Sequence, residues 1–176
     1  MPKLFTIGHS TRTLLELISL LKAHGITHLI DVRSIPKSRR VPWFNKKSLS
    51  LALRKEKIIY SHFPELGGLR RTSKNSINAG WHNASFRGFA DYMQTAEFYS
   101  GIKKLNQLLK RKNRVAVMCA EAVPWRCHRS LIGDAEVVRG ITVWDIMGAA
   151  ALHEHHLTPF AVVNRNTRPI KIYYPK

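Results

Sequence analysis

The side chains best suited to chemistry lie in one short stretch, residues 114–133, between a predicted strand and a predicted helix. Both cysteines of the chain, Cys119 and Cys127, lie in it, together with Glu121 and His128. Positive neighbours and a helix N-terminus both favour the thiolate, which is the reactive form of cysteine. Cys127 is therefore a candidate nucleophile, although free cysteines also commonly serve as small packing residues. We expect Cys119, which ends the strand, to belong to the core.

The spacing of the two cysteines limits what else they could form. Cys119 and Cys127 are separated by seven residues, which fits neither a C-x-x-C redox motif nor the common zinc spacings. A mixed metal site of Cys127, His128 and His9 could be built, but the sequence favours no metal and names no cofactor. A disulfide between the cysteines would act as a redox switch.

Arginines near the predicted strand ends indicate an anion-binding site. The guanidinium fork matches phosphate oxygens, and helix N-termini add backbone donors. Basic loops that also carry tryptophans could hold nucleic acid, although the aromatic rings could equally anchor the loops to the body. The candidate phosphate-binding or nucleic-acid-binding residues are Arg12, Asp31, Arg33, Ser38, Arg39, Arg126, Arg129, Trp43 and Trp81.

The acidic and imidazole side chains of the same region are the acid–base candidates. Glu121 and either His9 or His128 could move protons beside Cys127. We expect Asp31 to pair with an arginine and hold a loop, since it follows an apolar strand. For Glu121 the sequence favours neither a catalytic role nor simple pairing with an arginine.

Apolar β-branched runs alternate with amphipathic helical patterns along the chain. The strands and helices that they predict must position the candidate site residues. Strands are predicted at 3–7, 26–32, 58–62, 115–119 and 141–146. The alternation predicts a three-layer α/β fold with a mostly parallel sheet of about five strands and helices on both faces. In such sheets ligands bind at the carboxyl ends of the strands, so the loops after the strands should converge.

Several details of this prediction concern individual residues. Ser10 or Thr11 is expected to cap the first helix. Asp145 is expected at the end of the fifth strand, and His153 in a helix-like stretch. The last strand-like segments predict a C-terminal hairpin or edge pair, and 69–86 is predicted to be a loop.

Composition points to a basic protein with a polyanionic partner. The 176 residues include 29 Lys and Arg against 11 Asp and Glu, a formal net charge of +18. Such a charge raises affinity for nucleic acid or another phosphate-bearing ligand. The length predicts a single domain, residues 1–176. Because we find no apolar run of membrane-span length, no signal peptide and no disulfide framework, we expect a cytoplasmic protein with no membrane partner.

Five segments, in the same order, resemble domain-of-unknown-function family 488, a bacterial and archaeal group. They are T-I-G-H-S-T from Thr6, D-V-R-S-I-P-K-S-R from Asp31, P-E-L-G-G from Pro64, F-R-G-F-A-D-Y-M-Q-T-A-E-F from Phe86 and C-A-E-A-V-P-W-R-C-H-R from Cys119. The resemblance covers roughly residues 4–146, leaves 147–176 as an extension, and implies an α/β fold with little functional knowledge. One departure is that the fifth strand tends to end in histidine in that family, where this chain has Asp145.

The leading hypothesis is an enzyme acting on nucleic acid or a nucleotide, with an arginine-lined phosphate site at the strand ends. Two alternatives remain open. One is a non-catalytic nucleic-acid-binding module whose Cys/His cluster is structural. The other is a small-molecule, thiol-dependent enzyme with an incidental basic surface.

Overall fold

The computed structural model describes residues 1–111 and 113–176 and contains a six-stranded sheet. Its strands are β1 (Lys3–Gly8), β2 (His28–Asp31), β3 (Ile59–His62), β4 (Val115–Cys119), β5 (Thr142–Gly148) and β6 (Ala151–Glu154). Their spatial order is β3-β2-β4-β1-β5-β6; the first five are parallel, and β6 runs antiparallel to β5. The predicted, mostly parallel α/β fold is confirmed, with β6 added at one edge.

Helices cover both faces of the sheet. They are α1 (Leu14–Ala23), α2 (Lys46–Lys55), α3 (Ala84–Tyr92), α4 (Ala96–Lys110) and α5 (Arg129–Val137). Along β4, Val115 and Val117 pack with α3, α4 and α5, whereas Ala116 and Met118 pack with α1 and α2. This alternation follows from the two-residue period of a strand, and it gives the protein two apolar cores with the sheet between them.

The topology puts a crevice at the carboxyl end of β4. The chain leaves β4 toward α5 on one face, whereas the neighbouring strands β1 and β2 lead to α1 and α2 on the other. Loops that diverge to opposite faces leave space between them, which is where open α/β sheets bind ligands. Backbone pairing continues beyond the strands, since the amide of His9 donates to the carbonyl of Cys119 at 3.0 Å.

The first helix begins later than the sequence predicts. Thr13, not Ser10 or Thr11, is its N-cap, and its hydroxyl accepts from the Glu16 amide while the Glu16 carboxylate accepts from the Thr13 amide. This reciprocal capping box satisfies two backbone donors of the first turn. The residues before Thr13 are thereby left free to shape the loop after β1.

The C-terminal extension is built into the same body. A separate hairpin of β7 (Val162–Asn164) and β8 (Lys171–Tyr173) confirms the predicted hairpin. Just beyond it, Tyr174 is fully buried with the α3–α5 core, and its hydroxyl donates to the carboxylate of Asp134 at 2.8 Å. The prediction of a helix-like stretch around His153 is wrong, because that residue lies in β6 opposite Asp145.

Two further boundaries bear on the site. The helical segment after residue 84 breaks at 93–95, where Thr95 caps α4. Residues 67–83 contain no helix or strand, as predicted for most of this loop. Over the described parts of the chain, 1–111 and 113–176, no helix has both the length and the apolar character needed to cross a membrane.

Candidate functional site

A cleft of about 730 Å³ opens at the carboxyl ends of β1, β2 and β4. Its walls come from the loops after β1, β2, β3 and β4 and from the beginning of α3. Of the predicted site residues, the cleft is lined by His9, Arg33, Ser38, Glu121, Arg126, Cys127 and His128. We name this space the strand-end cleft. Its volume suits a ligand of nucleotide size.

Cys127 lies at the floor of the strand-end cleft, where side chains of its neighbours surround its sulfur. Arg129 Nε lies 3.4 Å from Sγ, and His128 Nδ1 lies 3.6 Å from it. The Cys119 thiol donates to the same sulfur, and this bond, with the charge of Arg129, holds the pKa of Cys127 well below its usual value. The pKa of Cys119 is raised in turn, because the bond to Cys127 and burial both favour its thiol. Cys127 is thus the residue stabilised as thiolate.

The imidazole of His128 is fixed by the backbone beneath the cleft. Its Nε2 lies 3.0 Å from the carbonyl oxygens of both Val32 and Leu66. Since carbonyls only accept, Nε2 carries the proton and Nδ1 faces the two sulfurs. Gly68 makes the fit possible, because a Cβ at that position would lie 2.5 Å from Nδ1.

Arg129 acts from below the floor. Its side chain is 1% exposed. Besides Nε on Cys127, its Nη2 donates to the carbonyl of Glu121 at 2.5 Å and its Nη1 to the hydroxyl of Thr6 at 3.3 Å. Arg129 therefore ties the loop after β4 to β1 and does not line the cleft. The sequence had instead predicted that it binds phosphate.

Asp31 and Arg33 form a buried pair beside the cleft. Arg33 donates from Nε to Oδ1 at 2.9 Å and from Nη2 to Oδ2 at 2.7 Å, and its Nη2 also donates to the carbonyl of Phe44. The Tyr60 hydroxyl donates to Asp31 Oδ2 at 2.6 Å. The carboxylate consequently orients Arg33 and Tyr60, the pairing role expected for it.

His9 is held as a neutral ring. Its Nδ1 lies 2.8 Å from the Ser10 carbonyl, and its Nε2 lies 3.3 Å from Arg33 Nη1. The ring packs against Phe44 at an interplanar angle of 31°, with a centroid distance of 4.5 Å. Burial lowers the pKa of His9, and the charge of Arg33 adds to this effect. Nδ1 therefore donates, Nε2 accepts, and the ring is already engaged on both sides.

Cations accessible to a ligand line another wall of the strand-end cleft. Lys37, Arg40 and Arg126 are all exposed and face it. Ser38 shapes this wall rather than supplying charge, since its hydroxyl accepts from the amides of Arg40 and Val41 at 3.2 Å. Lys37 and Arg40 were not selected from the sequence, because basic side chains in a proline-bounded loop give no indication of their direction.

The remaining predicted residues stand apart from the cleft lining. Arg12 donates from Nε to the Gly8 carbonyl, and its own carbonyl accepts from Trp43 Nε1 at 3.0 Å. Arg39 is exposed outside the lining. Trp81 stacks on Phe86 at 4.8 Å and also contacts Phe160 and Tyr174. Trp81 therefore anchors its loop to the body.

Glu121 and Ser10 complete the mouth of the cleft. The Glu121 side chain is exposed, and its Oε1 accepts from the Val123 amide at 3.3 Å. Ser10 has a φ of 46°, in the left-handed region that non-glycine residues seldom occupy. Such a conformation often marks a functional loop. A serine at this position gives no indication of that backbone conformation in the sequence.

Comparison with known proteins yields a family. Searches of curated proteins and of solved structures found no match. A family model described as domain of unknown function DUF488 matches residues 13–135. The match includes the Arg33 loop and the Cys119–Arg129 segment, and it excludes His9 and the C-terminal extension. Because the match spans more than half of the chain, the protein belongs to the DUF488 family.

Proposed function

We propose that the protein is an enzyme acting on a phosphate-bearing ligand, a nucleotide or nucleic acid, bound in the strand-end cleft. One observation carries the proposal: the sulfur of Cys127, which accepts from Arg129 Nε, lies at the floor of a cleft whose wall carries Lys37, Arg40 and Arg126. A reactive centre and an anion-binding wall share one space of nucleotide size.

Charge supports the choice of ligand. The net charge of +18 draws polyanions to the surface at long range. At short range, Arg40 and Arg126 offer guanidinium forks that match phosphate oxygens. Arg33 and Arg129 hold the framework, since Asp31, Thr6 and backbone carbonyls occupy their donors. Phosphate binding therefore falls to the exposed cations.

The floor of the cleft and its mouth carry different parts of the proposed chemistry. Cys119, Cys127 and His128 form the reactive centre at the floor. The exposed Glu121 carboxylate, which also lines the cleft, is the group free to exchange protons with solvent and ligand. His9 positions Arg33 instead, because both of its ring nitrogens are engaged.

Binding is tested by fluorescence anisotropy with a 5′-phosphorylated single-stranded oligonucleotide, a duplex and a nucleoside monophosphate across a salt series. Affinity should fall steeply with salt. Arg126→Ala and Arg40→Ala should weaken binding more than Lys55→Ala, which removes the same charge from the last turn of α2. Absence of binding by all three probes at low salt would overturn the proposal.

Catalysis is tested separately, by chromatography of the bound ligand after incubation. Glu121→Gln should retain binding and lose conversion of the ligand. Binding without conversion by the wild-type chain would instead identify a non-catalytic nucleic-acid-binding module.

A further inference from the structure

We propose that Cys119, Cys127 and His128 bind a divalent metal ion of the zinc type at the floor of the strand-end cleft. The two sulfurs and the imidazole nitrogen all lie within 4.8 Å of one another. Thiolate and imidazole are the ligands that zinc prefers in proteins. The seven residues between the cysteines argued against a zinc motif only because such motifs are defined by local spacing, whereas here a strand, a turn and a helix bring the ligands together.

The distances suit one tetrahedral ion. His128 Nδ1 lies 3.6 Å from Cys127 Sγ and 3.9 Å from Cys119 Sγ. An ion bound at about 2.3 Å from sulfur and about 2.0 Å from nitrogen separates such ligand atoms by about 3.5 Å. Both nitrogen–sulfur distances are therefore within a few tenths of an ångström of those that a bound ion requires.

The surroundings of the ligands favour metal binding. His128 turns Nδ1 to the sulfurs because its Nε2 donates to the carbonyls of Val32 and Leu66. A backbone acceptor on the far nitrogen is the usual support of a metal-binding histidine. Arg129 Nε donates to the sulfur of Cys127, which offsets part of the charge of two thiolates beside an ion. The imidazole, the sulfurs and the groups that orient them are thus already arranged for metal binding.

The set of ligands leaves a coordination position for a fourth group. All three ligands line the strand-end cleft, so a water or a substrate oxygen can complete the tetrahedron from the cleft side. Zinc sites with three protein ligands and one open position are typical of catalysis, where the ion polarises an oxygen or activates water. A catalytic role for the ion rests on the proposed function, for which the ion would be the reactive group. Metal binding itself does not depend on that function.

The test uses the full chain, reduced and freed of metal with a chelator, then titrated with Zn²⁺ or Co²⁺ alone. We expect a single equivalent to bind and the cobalt form to show thiolate-to-metal charge-transfer absorption. Cys119→Ser and Cys127→Ser should each reduce that absorption and weaken zinc binding by at least about tenfold. His9→Gln, which changes a cleft histidine outside the cluster, should leave both unchanged.

Two controls keep the outcome decisive. Circular dichroism of each variant establishes that it is folded, and zinc should also protect the wild-type thiols from alkylation. A folded wild-type chain without charge-transfer absorption, or zinc binding of unchanged strength in both serine variants, would overturn the metal site. Oligonucleotide binding measured on the same metal-free chain reports the proposed function separately, since the cationic wall contains none of the three ligands.

Discussion

The hydroxyl of Thr6 donates a 2.5 Å hydrogen bond to the carboxylate of Asp145. The same oxygen accepts from Nη1 of Arg129, whose other nitrogens hold Cys127 and the carbonyl of Glu121. A buried chain of polar contacts therefore runs from β5, through β1, to the floor of the cleft. The sequence-based expectation that Asp145 ends the fifth strand is wrong, since Asp145 lies in the middle of β5 and acts through Thr6.

Thr6→Val should test this chain. Valine keeps the shape of threonine and suits a strand, but it removes the donor to Asp145 and the acceptor of Arg129, both buried. We expect a loss of about 1–3 kcal/mol in the free energy of unfolding, measured by urea denaturation. Thr11→Val changes an exposed threonine near the same cleft and should alter stability little. Equal effects of the two substitutions would contradict a structural role for the Thr6 hydroxyl.

The buried pair of Asp31 and Arg33 gives a second prediction. Arg33→Met removes one charge of the pair and leaves the Asp31 carboxylate uncompensated, which should cost about 3–5 kcal/mol of unfolding free energy. Replacing both charges, in Asp31→Leu with Arg33→Met, should recover part of that loss, because no unpaired charge stays buried. Arg39→Met, at an exposed arginine of the same loop, is the matched control. A double variant less stable than Arg33→Met would contradict this account.

Sequence patterns are sufficient to predict the sheet and the edge where the site forms. Apolar periodicity locates β1, β2 and β4, and parallel strands bring their carboxyl ends together whatever the side chains. The direction of each polar side chain, in contrast, depends on partners distant in the chain. Arg129 turns inward because Thr6 and the Glu121 carbonyl accept from it, and no local pattern contains that information.

The cysteines show the same limit. Cys119 was expected in the core because it ends an apolar strand; it does pack against the core, but it also lines the cleft, with its sulfur near His128. The alternation of a strand predicts which face of the sheet a side chain occupies, but it does not predict where a side chain points once the strand has ended. The glycine pair of P-E-L-G-G was the available signal, since Gly68 leaves room for the imidazole of His128.

Glu136 provides a prediction about pH. It is fully buried, and burial raises its pKa from 4.5 to about 8, although the nearby charge of Arg139 and the Asn106 side chain both act to lower it. The folded state therefore binds a proton that the unfolded state releases above pH 4.5. Stability should fall as the pH rises from there to about 8, at up to about 1.4 kcal/mol per pH unit from this group.

Glu136→Gln should remove that dependence. Glutamine keeps the size and a donor of the protonated acid but does not titrate. In urea denaturation at a series of pH values between 5 and 9, the difference in stability between variant and wild type should widen in favour of the variant as the pH rises. Glu154→Gln, at an exposed glutamate, controls for general charge effects. A difference that stays constant with pH would show that Glu136 titrates normally.

The C-terminal extension gives the last prediction, because one buried acid binds it at several points. Asp134 accepts from the hydroxyl of Tyr174 at 2.8 Å on one oxygen, and on the other from the amide of Thr158, with His155 Nε2 also 2.8 Å away. Tyr174→Phe removes a single hydroxyl from this arrangement and leaves Asp134 Oδ2 buried without that donor. We expect a loss of about 1–3 kcal/mol in unfolding free energy.

Tyr173→Phe is the matched control, since Tyr173 precedes it in sequence but is only half-buried. Hydrogen exchange should distinguish local from global effects. Since the carbonyl of Tyr174 accepts from the amide of Gly80 and its amide donates to Asn78, Tyr174→Phe should speed exchange in 78–81 as well as in β8. Faster exchange in β8 alone would mean that the extension and the loop before α3 open independently, whereas joint opening would identify the extension as the support that holds this loop against the body.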